Sequence, residues 1–102
     1  MSEWIQIGAL MDFPKQGSRV VVSPKGSIAV FRTQDDQFFA LHDRCPHRGG
    51  PLSQGIVHGH RIACPLHSWV IELETGEAVA PDQGKTACFE VKEEQGTIYL
   101  KI

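Results

Sequence analysis

Cys45-Pro46-His47 and Cys64-Pro65-Leu66-His67 are two short stretches of this 102-residue chain that repeat one arrangement of side chains. In each stretch a cysteine is followed directly by a proline and then, one or two residues later, by a histidine. Sixteen residues separate the first histidine from the second cysteine. Because proline fixes its own φ and has no amide N–H, each cysteine precedes a stiffened turn. The pattern predicts two rigid loops, each presenting one thiolate and one imidazole.

Two thiolates and two imidazoles form a ligand set that suits two kinds of metal centre. A [2Fe–2S] cluster with two cysteines on one iron and two histidines on the other needs this set. A structural zinc ion accepts it too, but zinc fingers usually run Cys, Cys, His, His, whereas the order here is Cys, His, Cys, His. We therefore expect a [2Fe–2S] cluster, with zinc as the alternative. The expected ligands are Cys45, His47, Cys64 and His67.

Most of the remaining chain consists of short β-branched or aromatic runs between turn signals such as Pro24-Lys25-Gly26 and Glu94-Gln95-Gly96. These runs are mostly too short for helices and predict strands. Eight strands at this spacing indicate an all-β antiparallel sandwich or barrel, formed by residues 1–102 as a single domain. One short turn is expected within Ala9–Gln16, where Pro14 limits any helix. The predicted strands cover residues 4–7, 19–22, 27–32, 38–41, 61–63, 69–73, 87–92 and 97–102.

Composition argues against several classes of function. The formal net charge is −2 and the 10 Lys and Arg residues are scattered, which argues against a nucleic-acid partner. No apolar run approaches the roughly 20 residues of a membrane span, and Met1-Ser2-Glu3-Trp4 lacks the features of a signal peptide. There is no glycine-rich phosphate loop and no carboxylate pair that indicates acid–base catalysis. We expect a cytoplasmic protein, with no membrane partner, that is not catalytic as an isolated chain.

Other candidate residues have plainer expected roles. Cys88 is an odd thiol outside the motif; it favours a reducing compartment and is expected to be a free small side chain. His42 is expected to end a strand. His58 and His60 flank Gly59 in a predicted hairpin between the two loops, where a solvated position is the default. Trp69 is expected to be a core aromatic, with a role in shielding the metal centre as the alternative.

The stretch Cys45–Ser53 together with Cys64–His67 resembles the two cluster-binding boxes of Rieske ferredoxins, and the likeness extends over nearly the whole chain. This resemblance implies a small Rieske-type β-sandwich that carries single electrons. It also implies that the two cysteines bind the inner iron of the cluster and that the two histidines bind the outer iron near the surface.

Within that superfamily, residues 49–59 and 64–78 are similar to the small subunit of assimilatory NAD(P)H-dependent nitrite reductase. The resemblance implies electron transfer within an enzyme that converts nitrite to ammonium, whose large subunit holds flavin and sirohaem. Ferredoxins of ring-hydroxylating dioxygenases usually have Trp or Tyr at the place of Leu66 and Gly at the place of Ser68; the nitrite reductase subunit commonly has Asn at the latter. Two alternatives remain open: a free-standing ferredoxin that supplies such a dioxygenase, and a metal-stabilised interaction module without redox turnover.

Overall fold

The computed structural model describes residues 3–46, 50–65 and 69–102, and the regular structure of this part is almost entirely β-strand. Two single 3₁₀ turns, Leu10–Asp12 and Leu52–Gln54, accompany nine strands in the described residues. The strands are β1 (Trp4–Ala9), β2 (Gly17–Ser23), β3 (Gly26–Arg32), β4 (Phe38–His42), β5 (Ile56–His58), β6 (Arg61–Ala63), β7 (Val70–Glu72), β8 (Cys88–Glu94) and β9 (Thr97–Lys101).

These strands form two antiparallel sheets. The larger has the order β1-β9-β8-β4-β3-β2, and the smaller has the order β5-β6-β7. The β2–β3 hairpin is closed at the predicted turn, where Ser23 pairs with Gly26 and Gly26 adopts a φ of 103° that favours glycine. The predicted all-β antiparallel class is confirmed.

The larger sheet is buried on both faces along β3. Side chains of a strand alternate between the two faces, and four consecutive residues of β3, 28–31, are all buried. Ile28 and Val30 pack into one apolar cluster, with Ile98 and Leu100 of β9. Ala29 and Phe31 pack into a second cluster, whose other members come largely from the smaller sheet and its loops. An unbroken apolar run at residues 28–31 is the sequence signal for this double burial.

Each end of the eight predicted strands lies within two residues of the observed end, in keeping with the ordinary uncertainty of element ends. One strand was not among those predicted: β5, whose three residues lie in the segment expected to form the hairpin around Gly59. The hairpin predicted around Gly59 is confirmed, since β5 and β6 pair from Ile56↔Ala63 to His58↔Arg61. The single turn expected within Ala9–Gln16 is the 3₁₀ turn, whose first free amide, that of Ala9, donates to the Asp12 carboxylate at 2.9 Å.

Candidate metal centre

Cys45 and Cys64 lie at corresponding points of the fold, one shortly after β4 and the other directly after β6. Their residues are only 2% and 3% exposed, and both belong to the apolar cluster that joins the two sheets. Neither forms a disulfide bond. The fold therefore withdraws two soft sulfur donors from water into a single apolar environment.

Each of the two predicted loops is closed at its base by a backbone hydrogen bond, and the two bonds occupy equivalent positions. The Cys45 N–H donates to the Gly50 carbonyl at 2.7 Å, and the Cys64 N–H donates to the Trp69 carbonyl at 2.6 Å. In each case the cysteine is the first residue and the acceptor follows five positions later. The repeat in the sequence thus corresponds to a repeat in backbone structure, and each cysteine is fixed where its loop begins.

His47 and His67 lie outside the described residues, so their role as ligands stays a prediction. In the sequence they fall between the closing residues of the two loops, two and three positions after the cysteines. Arg48, Gly49, Leu66 and Ser68 also lie outside the described part. Elsewhere in that part, no group of three or more His, Cys, Asp or Glu side chains is arranged to hold a metal ion. The described residues therefore offer no competing metal site of that size.

A third loop, at residues 80–84, packs against both ligand loops. A methyl group added at Gly84 would lie 3.1 Å from the Pro46 Cβ and 3.6 Å from the Trp69 Cζ3. The Gly84 carbonyl accepts a hydrogen bond from the Ala78 N–H at 2.9 Å, which ties this loop to the segment that leaves β7. The sequence indicated only a turn here. The Gly-requiring φ of 150° gives no sequence signal beyond the glycine itself, so the contact with Pro46 was missed.

The remaining sequence candidates are distributed around this centre. His42 ends β4, as expected, and Cys88 begins β8 with an exposed side chain. Trp69 is partly buried and packs against the apolar cluster that contains both cysteines, a position that suits both the predicted core role and the shielding alternative.

His58 and His60 differ in their surroundings, although both lie at the β5–β6 hairpin. His58 is exposed, whereas the His60 Nε2 lies 3.0 Å from the Asp35 Oδ2 and its ring stacks near Phe39, with a centroid distance of 5.3 Å. Hydrogen bonds from the Thr33 hydroxyl and then from His60 lower the pKa of Asp35 below its usual value. His60 thus connects the smaller sheet to the β3–β4 turn rather than lying in a purely solvated position.

The residues present fit an iron–sulfur cluster. Soft thiolate ligands select zinc, copper(I) or iron–sulfur clusters, and rigid loops on a sheet hold such ligands at fixed spacing. An all-β fold that fixes two buried cysteines at the bases of two matched loops is suited to a small β-protein with a thiolate-bound metal centre. The chain matches the Rieske [2Fe–2S] domain model over residues 3–90, and it belongs to that family. The predicted cofactor, a [2Fe–2S] cluster, and the Rieske assignment are confirmed.

Relatives of known type agree with this assignment. The anthranilate 1,2-dioxygenase ferredoxin subunit of Burkholderia cepacia is 38% identical over 76 residues, which cover 74% of this chain and 69% of the relative. Several other curated relatives are much longer, and this chain spans 19–23% of their length. Among solved structures, a chain in the complex of oxygenase and ferredoxin in carbazole 1,9a-dioxygenase is 31% identical, with a TM-score of 0.84 and coverage of 95% and 91%.

A provisionally assigned NADH-dependent nitrite reductase small subunit from Mycobacterium tuberculosis has a TM-score of 0.89, covers 100% of this chain and 96% of its own, and is 18% identical. At that identity the likeness shows the fold alone. Together, the family and its ferredoxin members assign Rieske-type electron transfer to the chain. The partner that exchanges electrons with it is an oxidoreductase or an oxygenase. Within the described residues, no helix is long and apolar enough to cross a membrane.

Proposed function

We propose that this chain is the electron-carrying small subunit of a cytoplasmic, assimilatory NAD(P)H-dependent nitrite reductase. In this proposal residues 1–102 form one Rieske domain, and its partner is a large subunit that holds flavin and sirohaem and reduces nitrite to ammonium. The cluster ligands are Cys45, His47, Cys64 and His67.

The observation that carries the proposal is the sequence of residues 49–59 and 64–78, which is similar to that subunit. The described part of these segments includes the 3₁₀ turn Leu52–Gln54, β5 and β7, and Leu52, Val57 and Ile71 are buried beside the two cysteines. The similarity therefore falls on residues that surround the metal centre, where a change of side chain alters the surroundings of the cluster most directly. Leu66 departs from the pattern usual in dioxygenase ferredoxins, whereas Ser68 departs from both patterns, since the nitrite reductase subunit commonly has Asn at its place.

In this proposal the large subunit oxidises NAD(P)H and this chain transfers the electrons. The sequence contains no phosphate-binding glycine motif, so NAD(P)H oxidation belongs to the partner. When bound, a Rieske cluster accepts and releases one electron at a time. In this chain, the sulfur atoms of two buried cysteines bind the [2Fe–2S] cluster. The apolar side chains around them exclude water, and the sheets hold both ligand loops in place. Such rigidity suits electron transfer, because a site that barely moves on reduction has a small reorganisation cost.

A free-standing ferredoxin that supplies a ring-hydroxylating dioxygenase is the second candidate. It is favoured by the 38% and 31% identity with chains from dioxygenase systems, whereas the nitrite reductase structure shares 18%. The third reading, an interaction module without redox turnover, loses support from the match to the Rieske [2Fe–2S] domain and from the likeness to a ferredoxin subunit.

Reconstitution with the large subunit separates the candidates. Neither the isolated chain nor the large subunit alone should sustain NAD(P)H-dependent nitrite reduction, and mixing the two should give turnover. The Cys45→Ser variant should abolish this gain, while Cys88→Ser, a change of the same kind at an exposed cysteine, should preserve it. Equal nitrite reduction with and without this chain would overturn the proposal. Reduction of a dioxygenase by the chain, without any effect on nitrite reduction, would favour the ferredoxin reading.

A further inference from the structure

The first ligand loop has a side-chain brace beneath it. The carboxylate of Asp43 accepts two hydrogen bonds from Ser53: one from its N–H to Oδ1 at 2.7 Å, and one from its hydroxyl to Oδ2 at 2.9 Å. Asp43 lies two residues before Cys45, and Ser53 lies three residues after Gly50, which closes the loop. This pair, called here the Asp43–Ser53 brace, therefore joins the two chain segments that enter and leave the first loop.

Both ends of the brace are fastened to the larger sheet. The Asp43 N–H donates to the Ser27 carbonyl at 2.9 Å, next to β3 residues that are wholly buried. The Ser53 carbonyl accepts a hydrogen bond from the Ser18 hydroxyl of β2 at 2.8 Å. The residue before Ser53, Leu52, is fully buried in the cluster that contains the cysteines. The brace thus fixes the loop base relative to the sheet as well as closing it.

The second ligand loop is supported in a different way. It connects β6 to β7, and these strands pair directly at its base, where Ala63 is opposite Val70. Among the described residues the first loop has no such ladder, because it is flanked by β4 of the larger sheet on one side and by the 3₁₀ turn Leu52–Gln54 on the other. At the base of the first loop, the two hydrogen bonds to the Asp43 carboxylate join the two chain segments, as strand pairing does at the base of the second loop. Hydrogen bonds to an ionised acceptor are about twice as strong as neutral ones, which suits this task.

We propose that Asp43 and Ser53 are positioning residues for the [2Fe–2S] cluster: they hold the base of the first ligand loop at a fixed spacing from the second, and retention of the cluster depends on them. The proposal rests on the ligand assignment of Cys45 and Cys64 given above, and it is independent of which large protein receives the electrons.

Three variants test the brace through release of the cluster. Asp43→Ala removes both hydrogen bonds, Ser53→Ala removes one, and Asp43→Asn keeps an oxygen that can accept from the Ser53 N–H while it removes the charge. Loss of visible absorption in excess iron chelator should be about 10-fold or more faster in Asp43→Ala, in line with the usual cost of removing a supporting residue around a metal site. Ser53→Ala should be intermediate. Asp43→Asn should stay within about 3-fold of the unmodified chain, since it retains an oxygen that can accept the shorter of the two hydrogen bonds, the one from the Ser53 N–H.

Asp35→Ala is the matched control, because it removes a carboxylate that is also hydrogen-bonded but that lies on the β3–β4 turn and contacts His60. It should leave the release rate unchanged. The thermal midpoint of each cluster-free variant shows whether a faster release reflects general unfolding. Equal release rates in Asp43→Ala and Asp35→Ala, or equal acceleration in Asp43→Asn and Asp43→Ala, would overturn the proposal. Because the readout is cluster release, failure of the chain to support nitrite reduction does not bear on this result.

Discussion

Replacement of Gly84 by alanine tests whether the third loop supports the metal centre. The new Cβ would lie 3.1 Å from the Pro46 Cβ, closer than the roughly 3.5–4.0 Å at which two carbon atoms attract each other best. It would also sit on a backbone with a φ of 150°, which L-residues rarely adopt. Either the third loop or Pro46 must shift, and Pro46 directly follows the buried Cys45.

The magnitude follows from these two costs. A non-glycine residue in a sparsely populated backbone region costs on the order of 1–3 kcal/mol. If opening of the loops relieves that strain, release of the cluster should accelerate by roughly 5- to 150-fold, the factor that corresponds to this range. Release into excess chelator, followed by visible absorption, measures the rate, and urea unfolding of the cluster-free chain measures the stability.

Gly96→Ala provides the matched control. Gly96 also has a positive φ, of 81°, but a Cβ there would have no other atom within 4 Å, and the residue lies in the β8–β9 turn. Both variants should lower the free energy of unfolding by about 1–3 kcal/mol. Only Gly84→Ala should accelerate cluster release. If both variants are destabilised equally and neither changes the release rate, the support attributed to the third loop is wrong.

Three further predictions concern the two apolar clusters, the reduction potential and acid stability. Ile62→Ala and Ile98→Ala should each lower the free energy of unfolding by about 2–5 kcal/mol, since both side chains are fully buried. Only Ile62→Ala should weaken retention of the [2Fe–2S] cluster in a chelator assay, because the Ile62 side chain packs with the cysteines. Film voltammetry should give a midpoint potential near the bottom of the Rieske range of roughly −150 to +300 mV, and a value above about +100 mV would contradict this expectation. The lowered pKa of Asp35 means that its contribution to stability is present above its ordinary pKa of 3.8 and is lost as the pH falls through the lower value in the folded chain. Asp35→Asn should therefore reduce the dependence of stability on pH in this acid range, as acid titrations monitored by circular dichroism would measure; an unchanged dependence would show that the Thr33 and His60 contacts do not act in solution.

Local sequence carried enough information for the class of fold and for the cysteine pair. The apolar run at residues 28–31 and the turn signals between strands depend on near neighbours, so they predict β3 and its hairpins directly. The two Cys-Pro stretches could be predicted for the same reason, because each ligand loop is formed by residues that are near neighbours in the sequence. The structure closes the bases of both stretches alike, through the hydrogen bonds that the Cys45 and Cys64 N–H groups donate five positions along the chain.

Contacts between distant segments carried no comparable signal. Gly84 meets Pro46 across a separation of 38 residues, and the Asp43–Ser53 brace depends on how a strand end and a 3₁₀ turn lie side by side. These features require the positions of both sheets, which no single segment specifies.

The most direct test of the central claim is electron paramagnetic resonance of the reduced protein labelled with ¹⁵N-histidine, combined with iron and sulfide analysis. A Rieske centre requires two irons and two acid-labile sulfides per chain, a low average g-value and couplings from two histidine nitrogens. Cys45→Ser and Cys64→Ser should abolish this signal, and Cys88→Ser should retain it. Stoichiometric zinc in protein produced with ample iron, or a cluster without nitrogen couplings, would contradict the account.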